Sequence, residues 1–406
     1  MTGRAVGARL ATTPPAHRGP DRLDRDEALD ALPPEAWVTA LVSLEGMGPA
    51  RLRALGASFG EPRSSWEQVV GGKVHRHPDM AAVMGQRPDR VAALWAADAA
   101  LIDPAMFWQR HVDAGVGVVV HGGPAYPDLL AADPEPPVIL FQLGDPDVVV
   151  GPRVAIVGTR DCTRYGHELA FELAGDLSAA GVSIVSGLAL GIDSAAHAGA
   201  VEVDGAPPIA VVGSGLDVIY PRRSGPLWRE VARRGVIWSE YPLGSAAAGW
   251  HFPARNRLIA ALSDVVVVVE SHATGGALLT VDEALQRDRT VMAVPGPVRS
   301  AASAGTNQLL ADGPATTVAR DASDVLAALG MAPGSRRRAA ERRARPLPGD
   351  QSVLDAMGWQ PVTTDHLLLR TGLTFPDLAG ALNRLEGDGW VAQRGGWFER
   401  RAKPGA

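Results

Sequence analysis

The sequence predicts a doubly wound α/β protein, and three observations carry that expectation. Short apolar runs ending in small or polar residues recur through the middle of the chain: Val154–Gly158, Val182–Gly187, Ile209–Gly213, Val236–Glu240, Asp264–Ser271 and Val291–Gly296. Stretches with apolar residues at helical spacing separate them, which makes βαβ crossovers and a parallel sheet. One run holds five consecutive valines, Val265–Val269, a pattern suited to a central strand covered on both faces.

Taken in order, residues 1–33 are rich in Ala, Arg, Pro and Gly and read as a disordered lead. Residues 34–115 are helical in pattern. Within them, Ser43–Leu55 (SLEGMGPARLRAL) sets a Gly-x-Gly-Pro turn between two helices, as in SAM or helix-hairpin-helix modules. Such a turn can aim backbone N–H groups at a phosphate, or can simply join two helices. Residues 116–330 are expected to form the α/β domain. Val116–Val120 is strand-like, the prolines between residues 134 and 137 make a stiff connector docked on the domain, and Val138–Leu143 is apolar enough for a strand.

The first unit is the clearest. After Val154–Gly158, the residues Leu169, Leu173 and Leu177 mark a helix over His167–Ala180, and Gly181 terminates it. A second strand follows, then a helix that Asp193 or Ser194 is expected to cap. Further on come a helix through Arg234, another after Trp250, a helix to about Asp288, and a last one near Thr306–Ala311. Residues 331–350 form a linker carrying Arg336, Arg337, Arg338, Arg342, Arg343 and Arg345. Such a run is usually solvated and can touch nucleic acid only non-specifically. Residues 351–400 read as a winged helix: helical patterns over Thr364–Leu369 and Phe375–Glu386, then a hairpin around Gly395–Gly396. Its second helix is not basic, which favours a protein-contact or vestigial role.

At 406 residues the chain is too long for one core. Its net charge of −6 means that any anionic ligand is held by a local site and not by the overall field. A single cysteine, Cys162, allows no internal disulfide, and no local base activates it as a nucleophile. The N-terminus has no apolar signal segment, and no apolar run approaches about 18 residues, so the expectation is a cytoplasmic protein with no membrane partner.

The strand ends are where a doubly wound sheet binds ligands. The loop after the first strand, GTRDCTRYG, lacks the dinucleotide fingerprint but offers Thr159 and Arg160 for a phosphate. Small residues stand at nearly every other strand end: Ser186-Gly187, Gly213-Ser214-Gly215 and Gly275-Gly276 among them. Together they suggest a crevice where backbone closely approaches a long polyanion. In HFPARNRLIAALS, Arg255, Asn256 and Arg257 are expected at a helix N-terminus as a phosphate site, with Phe252 as a face for a base. There is no metal-spaced His/Cys set and no Gly-x-Ser-x-Gly elbow. His197 is expected to be structural, and neither catalytic residues nor a cofactor are predicted.

The ordered motifs IVGTR, IVSGLALGIDSAAH, IAVVGSGLDVIYP, SEYPLG, FPARNRLIAALS, VVVVVES, TGGALLT and AVPG resemble the DNA-processing protein A family (DprA, also Smf) over about Tyr126–Val318. The resemblance implies an extended Rossmann-like fold and a non-enzymatic protein. Such a protein binds and protects single-stranded DNA and assists RecA loading in natural transformation, as a homodimer. It implies DNA contacts at Thr159, Arg160, Ser186, Gly187, Gly275, Thr280, Arg255 and Asn256, stacking at Phe252, and a dimer contact near Leu309, Leu310 and Val318. A lysine that the family often carries near the aromatic is absent. Gly249, Trp250 and His251 occupy that approach, with Arg222 and Arg223 as substitute cations. The alternative is a nucleotide-cleaving phosphoribohydrolase or a nucleotide-sensing regulator of the same superfamily. TGGALLTVDE has the glycines of the hydrolase signature but not its Gly-Thr, and Glu283 is displaced.

Overall fold

A computed structural model describes residues 27–148, 150–313, 316–331, 345–358 and 361–401. The expectations for residues 1–26, and for Arg336, Arg337, Arg338, Arg342 and Arg343 of the linker, lie outside the described residues. Residues 27–30 form a helical turn.

The chain divides into two units, Met1–Ala125 with Pro137–Leu140, and Tyr126–Pro136 with Phe141–Ala406. In the first, the helices Pro34–Val42, Pro49–Phe59, Pro62–Val70, Pro78–Met84, Pro88–Ala99 and Pro104–Asp113 all start on proline. The missing N–H of proline costs nothing at that position. Trp37, Leu55, Trp66 and Trp95 form the interior. The Trp95 indole donates to the Glu45 carbonyl at 2.9 Å, which pins the glycine turn. Strand β1 (Gly117–Val120) belongs to this unit, and β2 (Ile139–Gly144) leads from it into the second.

The second unit is built on β3 (Arg153–Val157), β4 (Ser183–Ser186), β5 (Ile209–Val212), β6 (Val236–Ser239), β7 (Val265–Val268), β8 (Thr290–Ala293) and β9 (Thr316–Val318). Together with β2 their order is β2-β6-β5-β4-β3-β7-β8-β9. All neighbours pair in parallel except β2, which runs antiparallel to β6 with Phe141 opposite Ser239. The valine-rich β7 is central, pairing with β3 on one side and β8 on the other, and its residues are buried. Chain order reverses between β3 and β7. That switch point leaves a gap above the carboxyl ends of the two strands, because their following loops leave in opposite directions.

Two helix starts differ from expectation. The helix after β3 runs Arg164–Ala179, because the Thr163 hydroxyl accepts from the Gly166 N–H at 3.1 Å and begins it early. The helix after β4, Ile192–Glu202, is capped by neither Asp193 nor Ser194. It starts from Gly191, whose φ of +76° and close approach to the Thr159 carbonyl admit no side chain. Gly181 terminates the first helix as expected, with φ +87°.

The C-terminal region contains helices Pro348–Met357, Thr364–Thr371 and Phe375–Gly387, with strands β10 (Val362–Thr363), β11 (Val391–Arg394) and β12 (Trp397–Arg400) in the order β10-β12-β11. Gly395 and Gly396, both at positive φ, close the hairpin. This is a winged helix with one helix more than expected. The only cation of Phe375–Gly387, Arg384, is bound to both oxygens of Asp350, at 2.9 and 2.7 Å.

Candidate functional site

A crevice of about 650 Å³ lies at the switch point. Its lining includes Thr159 and Arg160 after β3, Phe252, Arg255 and Asn256 on the helix His251–Ala261, and Gly275, Gly276 and Thr280 at the start of the helix Ala277–Leu285. A pit of about 40 Å³ adjoins it, sharing Arg160, Tyr220 and Phe252 and adding Gly187 and Gly213.

The wall after β3 is held by a buried carboxylate. Glu270 follows the valine run, and its side chain accepts from the Thr163 N–H (2.8 Å) and hydroxyl (2.6 Å). Its main-chain carbonyl accepts from the Thr159 N–H at 2.8 Å. A Cβ on Gly166, in the first turn of the following helix, would meet this carboxylate at 2.3 Å and displace it. The Thr159 hydroxyl pairs with His272 Nδ1 at 3.3 Å. From this fixed loop Arg160 projects into solvent, with its guanidinium 4.6 Å from the centre of the Phe252 ring. That is within cation–π range. The Tyr220 ring lies 5.7 Å from Phe252.

The floor holds two buried residues of opposite charge, Arg255 and Asp193. Arg255 is 4% exposed, and its Nη1 donates to the Val211 carbonyl at 2.8 Å. Asp193, also buried, accepts from the Gly187 N–H at 3.2 Å. Burial pulls the Arg255 pKa down while Asp193 opposes it, and burial pushes Asp193 up while Arg255 opposes it. A Cβ on Gly187 would overlap the buried Arg255 guanidinium, so a side chain there would have to displace it. His197 is fully buried, and burial brings its pKa down to about 4, so it is a neutral packing residue.

The rim differs. Asn256 donates to the Gly276 carbonyl at 3.5 Å. A Cβ on Gly276 would meet nothing within 4 Å, whereas one on Gly275 would meet the Ser271 hydroxyl at 2.4 Å. Thr280 is buried beneath the rim.

Several sequence-predicted residues are not brought to the crevice. Arg257 lies two residues from Arg255, which turns it to the opposite side of a helix. It donates to the Glu135 carbonyl at 2.8 Å and pairs with Glu240, so it ties down the connector. The Arg-Asn-Arg triplet is therefore not a single phosphate site. Nor does it start the helix, which begins at His251. The Ser186 hydroxyl is buried and donates to the Ile156 carbonyl at 2.7 Å. Gly215 is packed on the Pro242 carbonyl, 2.5 Å from where its Cβ would be. Gly213 lines the pit, but its carbonyl is bound by His251 Nδ1 at 2.8 Å. Arg222 is exposed two residues past Tyr220. Leu309 and Leu310 are half-buried, and Val318 is exposed on the edge strand β9.

Gly187, Gly213 and Gly275 thus line the crevice or pit and at the same time leave room for neighbouring groups, whereas Gly215 serves packing alone. The residues missed from sequence are Glu270 and Tyr220. An acid directly after a buried valine run was the available signal for the first. Among the described residues, no group of three or more His, Cys, Asp or Glu is placed to hold a metal.

The family model described as DNA recombination-mediator protein A matches residues 117–330, and that described as DprA winged helix domain matches residues 338–396. Protein Smf of Synechocystis sp. is 31% identical over 408 residues, spanning 90% of this chain and 99% of that protein. The DNA processing protein DprA of Streptococcus pneumoniae is 39% identical over 202 residues, 50% of this chain and 70% of its own. The X-ray structure of DprA from that organism superposes with a TM-score of 0.60 at 30% identity, covering 72% of this chain and 97% of that one.

Proposed function

The chain belongs to the DNA recombination-mediator protein A family, and from that premise we propose that its crevice binds single-stranded DNA without strong sequence preference. The observation that carries this is the Arg160–Phe252 contact at the crevice mouth. An exposed guanidinium and an aromatic face stand side by side, which suits a phosphate next to an unstacked base. Neither group reads a base edge, so sequence preference is weak. Thr159, Asn256 and the open backbone at Gly276 extend the same path.

The carboxylates nearby are committed to structural partners. Glu270 holds Thr163, Asp193 holds Gly187, and Glu283 pairs with Arg287. Binding without bond cleavage is the reading they support, over the phosphoribohydrolase alternative. Handing the strand to RecA, and a homodimer through Leu309, Leu310 and Val318, are further parts of the proposal. No single helix among the described residues is long and apolar enough to cross a membrane.

A mobility-shift titration with an oligo-dT strand and a duplex of equal length tests the central claim. The single strand is expected to bind much more tightly, with affinity falling steeply as salt rises. Equal affinity for duplex would overturn it.

A further inference from the structure

Trp250 is 69% exposed, whereas six other tryptophans of the chain are buried at 6% or less. A single exposed ring is ordinary on a protein surface, and Trp397 is exposed too. What sets Trp250 apart is its place between the crevice-lining Gly249 and Phe252. Trp250 is also braced. Its ring stands edge-on to the His251 ring, centroids 4.0 Å apart. His251 in turn stacks on Tyr241 at 3.8 Å and bonds the Gly213 carbonyl. Tyr241 meets Trp250 at 6.2 Å, again edge-on. The indole thus meets both rings nearly at right angles while most of its surface stays in water.

Its sequence neighbours keep it clear. Residues 246–249 are Ala-Ala-Ala-Gly, and a Cβ on Gly249 would meet nothing within 4 Å. Ala247 and Gly249 line the crevice on one side of Trp250 in sequence, and Phe252 lines it on the other. Trp250 is thus flanked in sequence by crevice-lining residues without lining the crevice itself.

We propose that Trp250 is a second nucleobase platform, on which a base of the strand stacks after leaving the crevice past Phe252. This rests on the single-strand reading above. Two aromatic faces on one helix start give a strand a stacking contact inside the crevice and another beside it. No cation is needed at the second, because base stacking works on apolar surface.

The test compares the full chain with Trp250→Ala, Trp250→Phe and Arg160→Ala, each titrated with oligo-dT and with an abasic strand of equal length. Trp250→Ala is expected to weaken oligo-dT binding between about 5-fold and about 150-fold, and to leave abasic-strand affinity unchanged. Trp250→Phe is expected to keep most of the oligo-dT affinity while losing part of the fluorescence quenching expected of the unaltered chain on binding. Equal weakening on both strands, or no change on oligo-dT, would overturn the platform. If Arg160→Ala weakens binding while Trp250→Ala does not, the platform alone fails. If the unaltered chain does not bind oligo-dT at all, the single-strand reading fails with it.

Discussion

Arg160 and Arg255 line the same crevice, one exposed on its wall and one 4% exposed in its floor. Arg160 rises from a loop that Glu270 and Thr163 have already satisfied, so its charge is free to meet a ligand. Arg255 gives its Nη1 to the Val211 carbonyl and lies, buried, in the field of Asp193. The difference teaches that an arginine's place in a motif does not decide its role. What decides it is whether the surrounding backbone leaves a buried group for it to neutralise.

The largest expected effect tests the buried member. Arg255→Ala leaves the Asp193 carboxylate under Gly187 without its counter-charge. Removing the buried cation that offsets a buried carboxylate costs about 3–5 kcal/mol. Urea denaturation is expected to show a loss of that size. Full stability combined with lost DNA binding would erase the distinction and move Arg255 among the ligand groups.

Next in size is a pH effect on the same floor. His197 is neutral when folded, its pKa brought by burial down to about 4 from an ordinary value near 6.5. The unfolded chain takes up this proton first as pH falls. Stability is therefore full above about pH 6.5 and is lost progressively toward pH 4, by about 2–3 kcal/mol between pH 7 and pH 4.5. His197→Gln is expected to remove this part of the slope in thermal melts across that range. An unaltered slope in the variant would show that the ring is solvated in the native state.

The exposed member comes third. Arg160→Ala is expected to weaken single-strand binding by about 2 kcal/mol, within the range of a lost charge-assisted contact. Its melting curve should scarcely move, because surface substitutions rarely cost more than about 0.5 kcal/mol. A stability loss matching that of Arg255→Ala would collapse the two arginines into one kind.

These contrasts mark what could be read in the sequence. The doubly wound sheet was legible because its signals are local: the run Val265–Val269, the helical spacing of Leu173 and Leu177, and the stop at Gly181. Arg160 and Phe252 were legible too, since each sits at the turn where a strand or helix meets the crevice. The fate of Arg257 was not, because its partners Glu135 and Glu240 lie 122 and 17 residues away. Asp193 looked like a cap because Asp at a helix start usually is one. Only the return of Gly187 beneath it reveals the acceptor it became. Ser186 shows the same limit, its hydroxyl going to a neighbouring strand.

The glycines give the finest form of the comparison and the smallest expected effect. At Gly187 the missing side chain makes room for the Arg255 guanidinium, so a methyl there would push the floor apart. At Gly276 nothing stands within 4 Å of the same position, and its φ of −61° suits any residue. Protein packing therefore does not require glycine at 276. Gly276→Ala is expected to leave stability within about 0.5 kcal/mol of the unaltered chain. If the strand passes close over that backbone, the added methyl should weaken oligo-dT binding by about 1 kcal/mol, the low end of the cost of overfilling a packed contact. Unchanged affinity would route the strand away from Gly276 and leave the crevice mouth at Arg160 and Phe252 as its path, because the only crevice glycine tested that owes nothing to the protein's own packing would then owe nothing to the ligand either.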